Sequence, residues 1–304
     1  MSSVASNPAL IGVDWGTSSL RAFLIGANGG ILDKHEAPDG IMQVKDKDFD
    51  GVLARLLDSW TNTLPLIMSG MITSRNGWVE TPYIQLPAGA SQMANALVPW
   101  RTSGGLQVHF VSGVSTKHNG APDVIRGEET QIVGAVESGI TNGLFVMPGT
   151  HSKWVTVREG SMVDFATYMS GEIFAALRHH TILGTLMKDS DFNEEGFKQG
   201  VRVGFDSGTQ LLHRLFHVRT MPLFELISEE QVADYLSGML IGAEIKGAGS
   251  HGAPQTVISI VGRDDLADRY AIALQFLGYQ CQRVADNIVA RGHFAIATAA
   301  GLIT

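Results

Sequence analysis

Cysteine is nearly absent from this sequence: Cys281 is the single one among 304 residues, so no disulfide can form within the chain. Long apolar runs are also absent, since none reaches the roughly 18 residues that a membrane-spanning helix needs. No segment has the charged, apolar and small-residue order of a signal peptide. These absences predict a cytoplasmic protein that does not insert into a membrane.

Positive charge is scarce as well. The 22 lysines and arginines are outnumbered by 30 aspartates and glutamates, which gives a formal net charge of -8 at pH 7. A surface that coats nucleic acid needs clustered basic residues, so a nucleic-acid partner is not expected. The motif G-x-x-x-x-G-K-[ST] does not occur, which excludes a P-loop mechanism. An anionic ligand must therefore be bound by a few well-placed cations.

The chain does contain a long internal repeat. The stretch IGVDWGTSSLRAFLIGANGGILDKHEA, from residue 11, matches LFVMPGTHSKWVTVREGSMVDFATYM, from residue 144. Each predicts an apolar strand, a turn at a Gly-Thr pair, a second strand with a basic residue near its start, and a third strand after a glycine turn. The hydrophobic content of 44 % is sufficient to bury a core in each of two such halves.

The segments that follow each β-meander also match. The first half continues with an amphipathic helix near residues 52–60, strands at 64–68 and 108–111, and a helix from Glu128. The second half continues, after a helical insertion at about 171–218, with a helix at 228–245 opened by a capping-box pattern, a strand at 256–261, a helix at 264–277, a strand at 280–284 and a final helix. Both halves therefore predict a βββαβαβα order, with domains at residues 1–135 and 136–304.

Several motifs occur in one order along the chain: DWGTSSLRA, SGMITSRNGW, RGEETQIVGA, MPGTHSKWV, LSGMLIGAE and an apolar C-terminal helix. This set resembles the 2-dehydro-3-deoxygalactonokinase family, within the actin, hexokinase and Hsp70 superfamily. The resemblance implies duplicated ribonuclease H-like α/β domains, the actin-like ATPase fold, with nucleotide in an interdomain cleft. It also implies that ATP and Mg²⁺ are used to phosphorylate 2-dehydro-3-deoxy-D-galactonate at its C6 hydroxyl in galactonate catabolism.

The turn after the first strand has the composition of a phosphate-binding loop. Gly16 lets main-chain N–H groups approach phosphate oxygens, and Thr17 and Ser18 add hydroxyl donors. We expect Asp14 to hold Mg²⁺ directly or through water, because magnesium prefers hard oxygen ligands, and Arg21 to neutralise a phosphate. The alternative is an ordinary polar turn in which Asp14 caps local N–H groups. The second copy of the pattern favours the phosphate loop.

The second copy predicts a matching loop formed by Gly149, Thr150 and His151. Many superfamily members carry an aspartate two residues ahead of this glycine, whereas this chain has Met147-Pro148. No metal role is therefore expected here. His151 is interpreted as a hydrogen-bond donor, because no second metal-ligating residue lies near it in the sequence.

The segment RGEETQIVGAV supplies a candidate general base. Glu128 and Glu129 lie in the first turn of a predicted helix, where the helix dipole favours ionised carboxylates. In related sugar kinases an aspartate after a glycine at the start of a comparable helix takes the proton from the sugar hydroxyl, and Glu128 matches that position. Glu129 and Asp123 are kept in reserve. Ordinary helix-start chemistry, which favours acidic residues anyway, is the alternative.

Two arginines are candidates for binding the carboxylate of a sugar acid, because a planar guanidinium forms bidentate pairs with carboxylates. Arg126 directly precedes the candidate base, and Arg75 lies in SGMITSRNGW with Ser74 as a further polar contact. Glu129 is a candidate substrate contact as well. The residues leave open which arginine binds the substrate, and a solvated surface position is the alternative for Arg75.

The segment TVISIVGRDDLADRY predicts a strand, a turn at Gly262 and a helix. In the superfamily this turn approaches the base and ribose of the nucleotide, so the resemblance implies that Gly262 contacts adenosine. An ordinary strand–turn–helix joint is the simpler interpretation.

The leading hypothesis is an enzyme, an ATP- and Mg²⁺-dependent sugar-acid kinase whose partners are ATP and a sugar acid. Homo-oligomerisation is left open. One alternative is a kinase for another sugar acid or a neutral sugar. The other is a non-catalytic sugar- or nucleotide-binding regulator on the same fold.

Overall fold

A computed structural model of the chain describes residues 7–60, 63–249, 257–285 and 287–303, which form two compact units. Unit 1 contains the described residues up to 142, then 157–164 and those from 285 onward; unit 2 contains 143–156 and 165–284. The sequence predicts one domain boundary, after residue 135, whereas the chain passes from one unit to the other four times. The extra crossings arise because the last helix and the 157–164 segment pack within unit 1.

Unit 1 contains a six-stranded mixed sheet. Its strands are β1 (Pro8–Trp15), β2 (Leu20–Gly26), β3 (Ile31–Ala37), β4 (Leu66–Ser69), β6 (Val98–Arg101) and β7 (Gln107–Phe110), in the spatial order β3-β2-β1-β4-β7-β6. β1 is antiparallel to β2 and parallel to β4, with Asp14 paired to Ser69 at the carboxyl ends of β1 and β4.

Apolar residues on both faces of β1 explain its central position. Leu10, Val13 and Trp15 are fully buried, as a strand covered on both sides requires. At one edge, β3 is rich in charged residues and largely exposed, which suits a strand that ends a sheet. The core on one face is completed by α1 (Phe49–Leu56), whose first turn is capped by the Asp48 carboxylate.

Three further helices belong to unit 1: α2 (Ala90–Asn95), α3 (Glu128–Glu137) and α10 (Ile288–Ala299). Helices α3 and α10 touch through their backbones. A Cβ on Gly134 would lie 2.0 Å from Ile288 O, and one on Gly292 would lie 1.9 Å from Thr130 O. Glycine at both positions therefore allows the close packing of these two helices.

A second, three-stranded sheet in unit 1 consists of β5 (Tyr83–Gln85), β8 (Gly113–His118) and β9 (Ala121–Ile125), in the order β5-β8-β9. The sequence patterns do not predict this sheet. Its last strand leads through Arg126 and Gly127 directly into α3, so the small sheet sets where that helix begins.

Unit 2 contains a five-stranded sheet that repeats the first one. Its strands are β10 (Gly143–Met147), β11 (Ser152–Arg158), β12 (Ser161–Tyr168), β13 (Ile258–Ile260) and β14 (Cys281–Arg283), with residues 157–164 of β11 and β12 assigned to unit 1. The spatial order β12-β11-β10-β13-β14 corresponds to β3-β2-β1-β4-β7. The predicted duplication of an α/β unit is confirmed, although Thr256 of the predicted strand lies outside the described residues.

The helices of unit 2 are α4 (Ser170–His180), α5 (Glu194–Phe205), α6 (Leu211–Leu215), α7 (His217–Leu223), α8 (Val232–Ala248) and α9 (Asp264–Phe276). The predicted insertion is helical, as expected. Helix α8 begins at Val232 rather than Ser228; Gln231 Oε1 does accept a hydrogen bond from Ser228 N, at 2.9 Å, but ahead of the helix. Within the described ranges, no helix has both the length and the apolar character needed to cross a membrane.

Candidate active site

The first predicted phosphate loop is a tight turn between β1 and β2. Gly16 N donates to Ser19 O at 2.9 Å, and the side chains of Thr17, Ser18 and Ser19 are exposed. A Cβ on Gly16 would have one atom within 4 Å, Ser19 O at 3.4 Å. The tip of the loop therefore has open space beside its backbone, which is the condition for N–H groups to approach an anion.

Asp14 and Arg21 lie at the base of this loop and form an ion pair. Arg21 donates from a terminal guanidinium nitrogen to Asp14 Oδ2 at 2.5 Å, and the two side chains are 31 % and 13 % exposed. Their pairing follows from the antiparallel register, in which Asp14 is opposite Arg21. The structure thus brings together two predicted site residues, and Arg21 neutralises the Asp14 carboxylate.

The carboxyl end of β4 meets the start of α3 beside Asp14. Gly70 has a positive φ of 98°, and a Cβ there would lie 2.7 Å from Trp15 O and 3.2 Å from Asp14 Oδ1. Gly127 has a φ of 110°, and a Cβ there would lie 3.1 Å from Gly70 Cα. The positive φ favours glycine at both positions, and at Gly70 the contact with Trp15 O also leaves no room for a side chain. Three chain segments therefore converge within a few ångströms, although the sequence analysis did not single out Gly70.

Glu128 and Glu129 occupy different environments in the first turn of α3. Glu128 is half-buried, and its Oε2 accepts from Arg126 N at 3.1 Å. Glu129 is fully buried; its Oε2 accepts from Gly127 N at 2.6 Å and its Oε1 from the Thr130 hydroxyl at 3.2 Å. Burial raises the pKa of Glu129 to about 7, and the neighbouring Glu128 carboxylate adds to the rise. Of these two carboxylates, Glu128 is partly exposed and Glu129 is not. Asp123, the other reserve base, lies on β9 and accepts from Val124 N at 2.8 Å.

Arg126 is held in a cradle of polar groups. One terminal nitrogen donates to the hydroxyls of Thr73 at 2.7 Å and Thr81 at 2.6 Å, and the other donates to Thr81 O at 2.9 Å. The guanidinium also lies over the Tyr83 ring, 4.3 Å from its centre. These contacts tie the turn before Glu128 to the loop after β4. The two threonines were missed by the sequence analysis, since nothing local marks them.

Arg75 has a different setting from Arg126. Its side chain is 86 % exposed, with Nε 3.4 Å from Glu80 Oε1. Ser74 turns back to donate from its hydroxyl to Met71 O at 2.7 Å. Arg75 thus lies on an exposed loop with its guanidinium available to solvent.

In unit 2 the second predicted loop connects β10 and β11. A Cβ on Gly149 would meet one atom within 4 Å, His151 O at 3.8 Å, so this tip has open space as well. His151 Nε2 lies 2.5 Å from Glu172 Oε2, and Glu172 N donates to Thr150 O at 2.9 Å. The start of α4 therefore supports the loop through Glu172, a residue that the sequence analysis did not identify.

Gly262 lies next to this loop, since β10 and β13 are parallel neighbours. A Cβ on Gly262 would be 3.5 Å from Pro148 Cδ, immediately before Gly149. Within unit 2 the structure therefore brings the predicted adenosine turn to the base of the predicted phosphate loop.

A buried carboxylate anchors the strand that leaves this loop. Glu244 accepts from Trp154 Nε1 at 2.8 Å and from the Tyr270 hydroxyl at 2.9 Å, while Tyr270 shares a 2.8 Å hydrogen bond with the Ser152 hydroxyl. Burial raises the pKa of Glu244. One sequence signal could have found it: LSGMLIGAE ends an apolar helical run with a single carboxylate.

The duplicated fold, with a glycine turn after the first strand of each half, defines the actin-like ATPase class. A protein of that fold, the activator of the 2-hydroxyisocaproyl-CoA dehydratase from Clostridium difficile with bound ADPNP, is similar at a TM-score of 0.50, with 10 % sequence identity and 95 % of each chain covered.

Within that class the chain belongs to the 2-keto-3-deoxy-galactonokinase family, whose model matches residues 14–296. It is 33 % identical over 278 residues to the 2-dehydro-3-deoxygalactonokinase of Escherichia coli strain K12, covering 91 % of this chain and 93 % of that one. A crystal structure from Sinorhizobium meliloti, assigned as a 2-dehydro-3-deoxygalactonokinase protein, is similar at a TM-score of 0.89 and 33 % identity, covering 95 % of this chain and 98 % of that chain.

Proposed function

We propose that this chain transfers the γ-phosphate of ATP to the C6 hydroxyl of 2-dehydro-3-deoxy-D-galactonate. Family membership supports the substrate and the reaction. The observation that carries the proposal is the close packing of Gly127 against Gly70, since a Cβ on Gly127 would lie 3.1 Å from Gly70 Cα and one on Gly70 would lie 3.2 Å from Asp14 Oδ1. This packing supports a position for the Glu128 turn beside the strand ends that carry Asp14. A general base and a phosphate loop then lie in one region of unit 1, as a sugar kinase requires.

Glu128 is the proposed general base. It takes the proton of the C6 hydroxyl as that oxygen bonds to the γ-phosphorus, while the bond from phosphorus to the bridging oxygen breaks and ADP leaves. Glu129 is better suited to a positioning role, because its buried carboxylate holds the Gly127 N–H. Asp123 lies on a strand of the small sheet rather than in the turn.

Phosphate binding is assigned to the two loops, with main-chain N–H groups that neighbour Gly16 and Gly149 and hydroxyls of Thr17, Ser18 and Thr150. The Gly16 N–H itself donates to Ser19 O and holds the turn. Gly262 and His151 complete the proposed nucleotide contacts in unit 2.

Asp14 would hold Mg²⁺, which neutralises phosphate charge when bound. Among the residues described, no group of three or more His, Cys, Asp or Glu side chains could hold a metal. One carboxylate still fits this ion, since Mg²⁺ commonly binds one or two carboxylates plus phosphates and water. Arg21 is then available to move from Asp14 toward a phosphate.

Arg75 is the proposed partner of the substrate carboxylate, with Ser74 beside it. Arg126 is occupied by two threonines and a tyrosine ring, which supports a role in fixing the base rather than in binding substrate. The exposed guanidinium of Arg75 can instead form a bidentate pair with a carboxylate. A cytoplasmic location is part of the proposal, since a chain with one cysteine does not use internal disulfides.

The test is coupled ADP release with a panel of sugar acids and neutral sugars, using wild type, Glu128→Gln and the control Glu137→Gln at the exposed end of the same helix. Glu128→Gln should bind ATP normally and lose about 10²- to 10⁴-fold in kcat. Near-normal turnover by Glu128→Gln would place the base elsewhere. Turnover of a different sugar only would refute the substrate, and ATP binding without any turnover would support a regulator.

A further inference from the structure

Gly40, three residues after the end of β3, packs directly against the backbone of the first phosphate loop. A Cβ on Gly40 would lie 2.3 Å from both Thr17 O and the Ser18 carbonyl carbon. The next residue is bonded to the same loop, since Ile41 N donates to Gly16 O at 3.0 Å. The backbone of the loop therefore rests on a position where no side chain fits.

The second loop rests on a glycine in the same place. Gly171 follows the end of β12 by three residues, and a Cβ there would lie 2.5 Å from Gly149 O and 2.9 Å from Thr150 Cα. Again the next residue is bonded to the loop, through Glu172 N and Thr150 O at 2.9 Å. The two halves thus share this support although the segments around Gly40 and Gly171 differ in sequence and in secondary structure.

Space, and not backbone conformation, is the reason for glycine at these positions. Neither Gly40 nor Gly171 has a positive φ. The contrast with the loop tips is direct, because a Cβ on Gly16 or Gly149 would meet no atom closer than 3.4 Å. Each loop therefore has open space at its tip and a close backbone contact with Gly40 or Gly171 on its other side.

We propose that Gly40 and Gly171 are positioning residues that fix where the backbone of each phosphate loop lies, and so set the affinity of the loops for the nucleotide phosphates. This inference rests on the proposed function. A methyl group at either position must push the loop backbone away by about 1 Å to reach an ordinary contact distance. Displacements of that size lower catalytic efficiency by up to about 100-fold when preorganised groups are misplaced.

The experiment compares Gly40→Ala and Gly171→Ala with Gly204→Ala. Gly204 is an equally tight glycine, with a Cβ position 1.9 Å from Met239 O between α5 and α8, remote in sequence from both loops. The measurements are the melting temperature, the Kd for ADP with Mg²⁺ by calorimetry, and separate KM values for ATP and the sugar acid. Gly40→Ala and Gly171→Ala should raise the Kd for ADP and the KM for ATP by about 10- to 100-fold and leave the KM for the sugar acid within about twofold. Gly204→Ala should lower the melting temperature without this selective change.

A milder variant covers the case in which Gly40→Ala does not fold. In the orientation that satisfies its amide, Gln43 donates to Gly40 O at 3.1 Å and to Thr17 O at 3.0 Å. Gln43→Ala loosens the same support without a clash and should raise the Kd for ADP by about threefold or more. Wild-type nucleotide affinity in folded Gly40→Ala and Gly171→Ala, or in Gln43→Ala, overturns the proposal. Failure of the wild type itself to bind ADP would instead refute the proposed function, and the positioning role with it.

Discussion

The buried carboxylate of Glu129 predicts a specific dependence of stability on pH. Its side chain is fully buried at the start of α3, and its pKa is raised to about 7 from an ordinary value of 4.5. Between these pH values the native state holds a proton that the unfolded state has released. The contribution of Glu129 to stability is therefore largest below pH 4.5, falls as pH rises to about 7, and is lost above that. Replacing Glu129 with Gln should remove this dependence.

The expected magnitude follows from the size of the shift. A difference of about 2.5 pH units, at about 1.4 kcal/mol per unit, corresponds to about 3 kcal/mol of unfolding free energy lost between pH 4.5 and pH 7. Glutamine keeps an acceptor for the Gly127 N–H, whose distance to Glu129 Oε2 is 2.6 Å. The Glu129→Gln variant should therefore fold. Its free energy of unfolding relative to the wild type should increase by about 3 kcal/mol as pH rises from 4.5 to 7.

Urea unfolding followed by tryptophan fluorescence, at intervals from pH 4.5 to pH 8, measures the effect as the difference between Glu129→Gln and wild type. Other titrating groups contribute to both proteins and cancel in that difference. Glu137→Gln is the matched control, because Glu137 is an exposed carboxylate on the same helix and its replacement should give a flat difference. A flat difference for Glu129→Gln would refute the reasoning about burial.

Two further predictions concern the substrate arginine and a buried histidine. Arg75→Ala should raise the KM for the sugar acid about 10- to 100-fold with little change in the KM for ATP, because a charge-assisted pair is worth about 1.5–3 kcal/mol. Arg101→Ala, on an exposed edge strand, is the control. An unchanged KM for the sugar acid in Arg75→Ala would assign the substrate carboxylate to another residue. His293 is fully buried, and its Nε2 lies 2.8 Å from the Ser69 hydroxyl oxygen. Burial lowers the pKa of His293 to about 3. Its contribution to stability is therefore complete above pH 6.5 and is lost as pH falls toward 3. Between pH 6.5 and pH 5, the free energy of unfolding measured in urea should fall by about 2 kcal/mol less in His293→Asn than in the wild type. Equal decreases in both proteins would contradict this.

Local patterns predict the elements that have a strong periodicity of their own. The strands of both β-meanders and helix α9, at Asp264–Phe276 against a predicted 264–277, follow from apolar spacing and glycine turns. The small sheet of β5, β8 and β9 has no such signal, because its strands are short and lack a regular alternation of buried and exposed residues. These strands form through pairing with one another, which a local pattern does not contain.

The site shows the same division between local and tertiary information. The sequence indicates glycine turns and an acidic helix start, and the structure brings Asp14, Gly127 and Glu128 to neighbouring strand ends. Which carboxylate is reachable, and which arginine is occupied, depend on burial and on Thr73 and Thr81, distant in sequence. Such contacts between remote segments cannot be predicted from spacing along the chain.

The return of α10 to unit 1 has a consequence for how this protein is made. Helix α3 ends at Glu137, and its partner begins at Ile288, so the ribosome adds about 150 residues between them. At bacterial or eukaryotic elongation rates this takes roughly 8 to 30 s. During that interval the face of α3 that carries Gly134 and the space beside Gly12, which the His293 ring later occupies, have no covering helix. The nascent N-terminal half therefore keeps this surface uncovered until α10 has been synthesised.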